Sequence, residues 1–324
     1  MGSCFSAAQQ QESQESVDVS RRATSAVSPL PPSSQSSEDI LRRAGDQYTR
    51  RRRPSQSIPM KPVLSALRTY ATLPDPASSL SASTLLLSTP NTIAIFDAYP
   101  KAKYHFLVLP RYPFPPQSHP ESTKSIVKLD VLDDLKSLLL KAGAEQREEV
   151  INTMAEMAGE IEEMIRDEMV KTEGFEWKID VGFHAIPSMK HVHLHVISED
   201  RISPSFKTKK HQNTFRPDLG FFISVMDVQR WIQQDEAYIS ERVDVGTSSG
   251  CLASQLNLPL AKQSLSSAGA LLDAPLTCFK CDEPFHNLPK LKQHLEKEFA
   301  EEKTQALKQI ASHGRQRDSD EDSL

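Results

Sequence analysis

The chain has 324 residues, a formal net charge of −5 and a hydrophobic content of 38%. Even with its 11 glycines counted, the apolar fraction stays below the about 45–50% of ordinary globular chains, so part of the chain is expected not to pack. No run approaches the about 20 apolar residues of a membrane-spanning helix, and 4 cysteines are too few for a disulfide scaffold. The acidic balance gives no global sign of a nucleic-acid-binding protein, so such a site would have to be local.

Composition divides the chain into five parts. Residues 1–58 are rich in Ser, Gln, Glu and Arg and predict a disordered extension, because they bury too little apolar surface to offset chain entropy. A connector is predicted at 246–270 and an acidic disordered tail at 310–324. Two folded units remain, at 59–245 and 271–309.

The extension carries two short signals that point to different compartments. The start Met1-Gly2-Ser3-Cys4 fits N-myristoylation at Gly2 with palmitoylation at Cys4. The arginines at 50–53, followed by Pro54, fit a nuclear address or a solvated basic patch. A nuclear location is expected, and a cytoplasmic or membrane-associated one through lipidation is the alternative.

The unit at 59–245 has the pattern of an α+β domain. Apolar runs at 92–96 and 104–109 with a polar turn between them predict a β-hairpin. Apolar residues at helical spacing between 129 and 169 predict helix, and Gly143 divides that region into two helices. Alternation over 175–183 and a second run at 191–197 predict two antiparallel strands. Helices between strand pairs favour an α+β fold.

Three histidines alternate along the last of these strands. His191, His193 and His195 occupy positions i, i+2 and i+4, which share one face of a strand. Imidazole is largely neutral near physiological pH, so it can attack phosphorus while neighbouring imidazoles donate hydrogen bonds to phosphate oxygens. Imidazole is also the commonest metal ligand in proteins, so a metal site is the alternative.

A basic segment follows the histidines. Between residues 201 and 216 there is no acidic residue, and the basic side chains are Arg201, Lys207, Lys209, Lys210 and Arg216. The rings of Phe206, His211 and Phe215 are interspersed among them. Positive charge with rings available for stacking predicts contact with nucleic acid, and a solvated charged face is the alternative.

The C-terminal unit has the ligand spacing of a zinc finger. Cys278 and Cys281 are followed by His294 and Glu298, a spacing that takes two ligands from a turn and two from successive turns of one helix. A carboxylate can ligate zinc, so Glu298 can stand in for the usual second histidine, and His286 is the alternative fourth ligand. In a reduced compartment zinc is favoured over a disulfide between the two cysteines.

Three segments resemble a known family. The stretch 182–198, with its His-φ-His-φ-His-φ-φ run, resembles the histidine triad (HIT) superfamily of nucleotide hydrolases and transferases, and is most similar to its aprataxin branch of DNA-adenylate hydrolases. Residues 97–110 resemble the nucleotide-binding hairpin of that branch, and residues 203–215 its basic segment. The resemblance implies a HIT-type antiparallel sheet with flanking helices and a small C-terminal zinc finger.

The resemblance also implies roles in the reaction. His193 would attack the α-phosphorus of an adenylate and form a covalent nucleotidyl-histidine, which water cleaves. His191 would orient His193, and His195 would contact the phosphate or the leaving group. Asp97 would accept hydrogen bonds from the ribose hydroxyls, and Lys101 would place positive charge on the phosphates. For Asp97 and Lys101, an ordinary polar turn is the alternative.

Further residues are assigned to DNA and to zinc by the same resemblance. His184 would line the DNA-phosphate side, as would Ser188, for which a turn role is the alternative. The residues implied to contact DNA are Lys207, Lys209, Lys210 and His211, with Lys280, Lys290 and Lys292 on the finger. The zinc ligands implied here are Cys278, Cys281, His294 and Glu298. This set resembles that of the fungal members of the branch.

The expected function is that of a DNA-repair hydrolase that removes AMP from 5′-adenylated DNA ends or nicks, with zinc in a structural role. A general HIT hydrolase of free phosphoramidates or dinucleotides is one alternative, which the zinc unit and the basic segment disfavour. A non-catalytic zinc-finger nucleic-acid-binding protein is the other, which the complete triad disfavours.

Overall fold

The computed structural model describes residues 64–114, 126–244 and 268–321. The extension at 1–58 with its two signals, and nearly all of the predicted connector, lie outside the described residues. Within the described ranges, no helix is both long and apolar enough to cross a membrane.

A six-stranded antiparallel sheet forms the centre of the fold, with the strand order β1-β2-β3-β5-β4-β6. Its strands are β1 (Leu85–Ser88), β2 (Thr92–Phe96), β3 (His105–Pro110), β4 (Ile179–His184), β5 (Leu194–Ser198) and β6 (Phe222–Ser224). The predicted hairpin is β2 and β3, and the predicted second pair is β4 and β5. The α+β prediction is therefore confirmed.

Eight α-helices accompany the sheet in the described residues: α1 (Ala66–Ala71), α2 (Pro76–Ser79), α3 (Leu135–Lys141), α4 (Ala144–Glu173), α5 (Lys209–Thr214), α6 (Val225–Ile232), α7 (Glu236–Asp244) and α8 (Leu288–Glu321). Two helices lie in the region 129–169, as predicted. The Asp134 carboxylate caps α3 by accepting from the Ser137 amide at 2.7 Å, and Gly143 is the N-cap of α4. Gly174, with φ of 79°, ends α4 in the left-handed conformation that glycine adopts most easily.

The main core lies between the sheet and α4. Met154, Ile161 and Ile165 on α4 are fully buried, and they belong to the same apolar cluster as Phe106 and Val196 on the strands. The apolar stripe that predicts this helix is therefore its core-facing side.

The strand of the three histidines begins later than its sequence pattern predicts. β5 starts at Leu194, and His191 has a left-handed φ of 89°. The His191 amide donates to the Asp133 carbonyl at 2.9 Å, and the Val192 amide donates to the Leu132 carbonyl at 2.8 Å. The prediction that all three histidines share one strand face is thus wrong, because the loop before α3 takes the hydrogen bonds that a sheet ladder would need.

A second, smaller core belongs to the C-terminal unit. Leu276, Leu291 and Leu295 pack there with Phe206, which comes from the segment after β5. Helix α8 continues through residues 310–321, where composition predicts a disordered tail. Charged side chains are found on exposed helices as well as in disordered tails, so a high charge content does not distinguish the two.

Candidate active site and metal centre

Hydrogen bonds to the backbone orient the first two histidines of the triad. His191 Nε2 lies 2.7 Å from the Pro110 carbonyl of β3, and His193 Nδ1 lies 2.8 Å from the His191 carbonyl. A carbonyl only accepts, so the proton of each neutral ring is on the nitrogen that faces it. His193 therefore presents an unprotonated Nε2, which is the form of imidazole that can act as a nucleophile.

A fourth histidine, which the sequence reasoning did not assign, completes the site. His105 of β3 is buried, and its Nε2 lies 3.0 Å from His195 Nδ1. The Lys101 amide donates to His105 Nδ1 at 3.2 Å, so the proton of the His105 ring is on Nε2 and is donated to His195. His195 must then carry its own proton on Nε2, a buried atom with no hydrogen-bond partner among the described residues. That N–H is free to donate to a ligand.

The signal that could have revealed His105 is its position in the sequence. It is the one ionisable side chain in an otherwise apolar strand, and it lies within the segment that resembles a nucleotide-binding hairpin. Its contact with His195 spans 90 residues of sequence, which no local pattern records.

Burial keeps the rings of the site uncharged. It lowers the pKa of His193 below its usual 6.5, although the His191 carbonyl and the Asp97 carboxylate oppose the shift. It lowers the pKa of His105 and of His191 to about 4 each, and it lowers the pKa of His195 well below its usual value. At neutral pH all four rings are therefore neutral.

Asp97 and Lys101 lie in the turn between β2 and β3, next to the histidines. The Tyr99 amide donates to Asp97 Oδ1 at 2.7 Å, and the Lys101 ammonium donates to the Tyr99 carbonyl. Burial alone would raise the pKa of Asp97, but the fields of His105 and Lys101 outweigh it and lower the pKa. Because His105 is neutral at pH 7, Lys101 and the Tyr99 amide are the partners that stabilise the carboxylate there.

His184 and Ser188 have different positions. The ring centroid of His184 is 4.1 Å from that of His195, and its buried Nε2 has no partner among the described residues. Ser188 is exposed in the turn between β4 and β5. The close approach at the His195 end of β4 depends on Gly182, where a Cβ would lie 2.5 Å from the Ile223 carbonyl oxygen.

In the basic segment at 201–216, the accessible side chains are not the ones that the sequence predicts. The rings of Phe206 and Phe215 are 1% and 2% exposed, so the prediction that they are available for stacking is wrong. Phe206 lies in the finger core, and Phe215 packs against His195 with ring centroids 5.6 Å apart. Arg201 and Arg216 are buried and paired with carboxylates, which a count of acids within the segment does not reveal.

The accessible charge of this segment lies near the turn between β2 and β3. Lys207, Lys209 and Lys210 are exposed, and the Lys209 ammonium donates to the Asp273 carbonyl at 2.9 Å. His211 accepts from the Lys207 amide at 3.0 Å. Burial, with the nearby charge of Lys101 adding to it, lowers the pKa of His211 to about 4. We call Lys207, Lys209, Lys210 and His211 the basic edge.

The four predicted zinc ligands form one cluster. One donor atom from each of Cys278, Cys281, His294 and Glu298 lies within 4.8 Å of the others. Cys278 Sγ is 3.1 Å from Glu298 Oε2, Cys281 Sγ is 3.2 Å from His294 Nε2, and His294 Nε2 is 3.0 Å from Glu298 Oε1. Such spacings fit a tetrahedral ion with Zn–S bonds of about 2.3 Å and Zn–N bonds of about 2.0 Å. Both cysteines are free thiols, and His286 is exposed and outside the cluster.

Two of the three finger lysines expected to grip DNA bond to protein groups. Lys280 pairs with Glu199 at 3.0 Å and with Glu302 at 2.7 Å, and Lys292 donates to the Ser203 carbonyl at 2.9 Å. These contacts form because the finger packs against the segment that follows β5, and contact of the two lysines with DNA stays a prediction. Lys290 is exposed.

Two protein-family models match adjoining parts of the chain. Residues 77–211 match a model described as "Scavenger mRNA decapping enzyme C-term binding", and residues 218–301 match one described as "C2HE / C2H2 / C2HC zinc-binding finger". The second match supports zinc as the ion for the four-ligand cluster.

Curated relatives include aprataxins from several animals and a yeast. The aprataxin of Danio rerio is 32% identical over 205 residues, covering 63% of this chain and 46% of that protein. That of Gallus gallus is 31% identical, covering 64% and 48%, and an aprataxin-like protein of Schizosaccharomyces pombe is 28% identical, covering 64% and 72%. The chain spans less than half the length of the two animal relatives.

Among solved structures, the aprataxin ortholog Hnt3 in complex with DNA aligns with a TM-score of 0.49 and 21% identity. The alignment covers 76% of this chain and 99% of that one. The aprataxins of three animals each align with this chain over more than 200 residues, which is longer than the match of the first family model to residues 77–211. The chain is therefore similar to aprataxins over about two thirds of its length, and its C-terminal part matches a zinc-binding finger model with the ligand set C2HE.

Proposed function

We propose that this protein removes AMP from 5′-adenylated DNA ends and nicks through a covalent intermediate on His193. The observation that carries the proposal is the assignment of the ring protons. His193 Nδ1 is held by the His191 carbonyl, which leaves Nε2 with a lone pair. His195 Nε2 carries a hydrogen and has no partner among the described residues. One ring can attack, and the next can donate to the charge that develops.

In the first step His193 Nε2 attacks the α-phosphorus of the adenylate, and a P–N bond forms. The bond from that phosphorus to the bridging oxygen of the DNA 5′-phosphate breaks, and the 5′-phosphate leaves with the electron pair. His195 Nε2–H hydrogen-bonds an oxygen of the transferring phosphoryl group or the leaving oxygen. The His191 carbonyl stabilises the proton on His193 Nδ1 while the ring carries positive charge.

In the second step water attacks the same phosphorus and the P–N bond breaks. AMP is released, the electron pair of the P–N bond returns to His193 Nε2, and one proton of the attacking water passes to solvent, so that His193 is again neutral with its proton on Nδ1. Asp97 binds the ribose hydroxyls of the adenylate, which a carboxylate can accept in pairs. Lys101, in the same turn, neutralises phosphate charge.

The DNA strand is bound through its phosphates rather than through its bases. Lys207 and Lys210 on the basic edge, His184 beside the triad and Lys290 on the finger supply donors suited to phosphate contacts. Cys278, Cys281, His294 and Glu298 would hold a structural zinc ion, which cross-links the finger when bound. We place this activity in the nucleus; association with a membrane through Gly2 and Cys4 is the alternative location.

The test compares substrates and a triad variant. Purified protein and His193→Ala are incubated with 5′-adenylated nicked DNA and, separately, with a free adenosine dinucleotide, and AMP release is measured. The proposal predicts AMP release from the DNA that depends on His193. Release from the dinucleotide but not from DNA indicates a general nucleotide hydrolase. Binding of DNA without turnover of either substrate indicates a non-catalytic binding protein.

A further inference from the structure

Residues 199–203 lead out of the triad strand, and we call them the exit segment. They lie between two parts of the molecule that are far apart in sequence. Both the turn at 97–103, which we call the nucleotide turn, and the finger contact this segment.

Two hydrogen bonds attach the nucleotide turn to the exit segment. The Lys103 amide donates to Asp200 Oδ2 at 2.8 Å, and the Ser203 hydroxyl donates to the Pro100 carbonyl. Pro100 directly precedes Lys101, whose amide fixes the His105 tautomer. The exit segment thus positions the turn that carries Asp97 and Lys101.

Three finger residues also contact the exit segment. The Lys292 ammonium donates to the Ser203 carbonyl at 2.9 Å, and Lys280 pairs with Glu199 at 3.0 Å. The guanidinium of Arg201 is 4.3 Å from the ring centroid of Phe279, which lies between the two cysteine ligands. Arg201 is 1% exposed and has a left-handed φ of 47°, a conformation that persists only where its surroundings enforce it.

Ser203 is the point where the two sets of contacts meet. It is 1% exposed, its carbonyl accepts from the finger, and its hydroxyl donates to the nucleotide turn. One residue therefore transmits the position of helix α8 to the residue next to Lys101. A finger that only gripped DNA would need no such contact with the nucleotide turn.

We propose that the finger is a structural part of the nucleotide site, with Lys292 and Ser203 as positioning residues for the turn that carries Asp97 and Lys101. This inference rests on the proposed function only for the identity of the ligand, an adenylate. It assigns the finger a role in binding the nucleotide itself, separate from any contact with DNA.

The test uses a ligand too small to span from the triad to the finger. Binding of AMP by calorimetry and turnover of adenosine 5′-phosphoramidate are measured for Lys292→Met, Ser203→Ala and the control Lys297→Ala. Lys297 is on the same helix, and its side chain is 75% exposed and paired only at 3.6 Å with Glu301. We expect AMP binding to weaken about five- to tenfold in the first two variants, the loss of roughly one hydrogen bond, with KM raised more than kcat is lowered. The control should match the wild type.

Hydrogen exchange gives a readout that does not depend on activity. The amides of Lys101 and Lys103 should exchange faster in Lys292→Met than in Lys297→Ala, while amides of β2 and β3 are unchanged. Unchanged AMP binding and exchange in both positioning variants would overturn the inference. If the wild type binds AMP but does not release it from adenylated DNA, the proposed function fails while the AMP and exchange results still decide the role of the finger.

Discussion

At the scale of single residues, the site depends on where each imidazole proton resides. The backbone fixes the proton of His193, and Lys101 and His105 together fix that of His195. The His-x-His-x-His run is visible in the sequence, but it does not reveal these protons. They follow from the His191 carbonyl, the Lys101 amide and the His105 ring on the neighbouring strand.

His105 is expected to act through His195. His105→Phe removes the donor to His195 Nδ1, so His195 can adopt the wrong tautomer, and we expect kcat to fall about 10- to 100-fold with a smaller change in KM. His105→Gln keeps an N–H donor and should recover part of kcat. Steady-state kinetics on 5′-adenylated nicked DNA measures both. Equal loss in the two variants would mean that His105 only fills space.

The pH dependence of catalysis should reflect the burial of His193. The neutral ring is the nucleophile, and burial lowers its pKa below 6.5 in the free enzyme. The acid limb of kcat/KM should therefore have its midpoint below pH 6.5, where the pH falls through the lowered pKa of His193. An acid limb with its midpoint at or above pH 6.5 would contradict this, because it would require a solvated or positively stabilised ring.

At the scale of elements, the sequence misassigns the segment after β5 because its partners are elsewhere in the chain. Phe206 lies among lysines, which suggests a surface ring, but the finger supplies the leucines that bury it. Phe215 is buried against the histidines of the sheet in the same way. A locally charged sequence predicts an exposed segment only when no element from elsewhere in the chain packs over that segment.

Phe206 should therefore contribute strongly to stability. Phe206→Ala removes a buried ring from a small core, and we expect the free energy of unfolding to fall by about 3–5 kcal/mol. Tyr99→Ala, at a ring that is 59% exposed, should change it by about 0.5 kcal/mol or less. Urea denaturation followed by fluorescence measures both. Similar small losses of stability in the two variants would mean that the Phe206 ring is at the surface, as its sequence neighbours suggest.

At the scale of the whole molecule, the sequence predicts what is local and misses what is distant. The helices at 135–173, the hairpin and the four-ligand cluster each depend on spacing within one segment, and the structure has them as predicted. The contact of His105 with His195 and that of Lys292 with Ser203 each join residues about 90 positions apart. Such contacts arise from sheet order and from packing of the finger, and one sequence records neither.

The net charge of −5 likewise does not show which basic side chains are paired within the protein and which face solvent. Much of the positive charge near the triad is used internally, by Arg201, Arg216, Lys280 and Lys292. What faces solvent beside the nucleotide turn is the smaller basic edge. DNA is therefore expected to be held by few phosphate contacts around an end or nick rather than along an extended surface.

The measurement that tests the central claim most directly is detection of the covalent intermediate. The protein is mixed with 5′-adenylated nicked DNA for less than one turnover, denatured at alkaline pH, where phosphoramidates persist, and digested for mass spectrometry. Our account predicts an AMP adduct on the peptide that contains His193, located at Nε2 of that ring and missing in His193→Ala. AMP release at the normal rate from His193→Ala, or an adduct on a different residue, would contradict it.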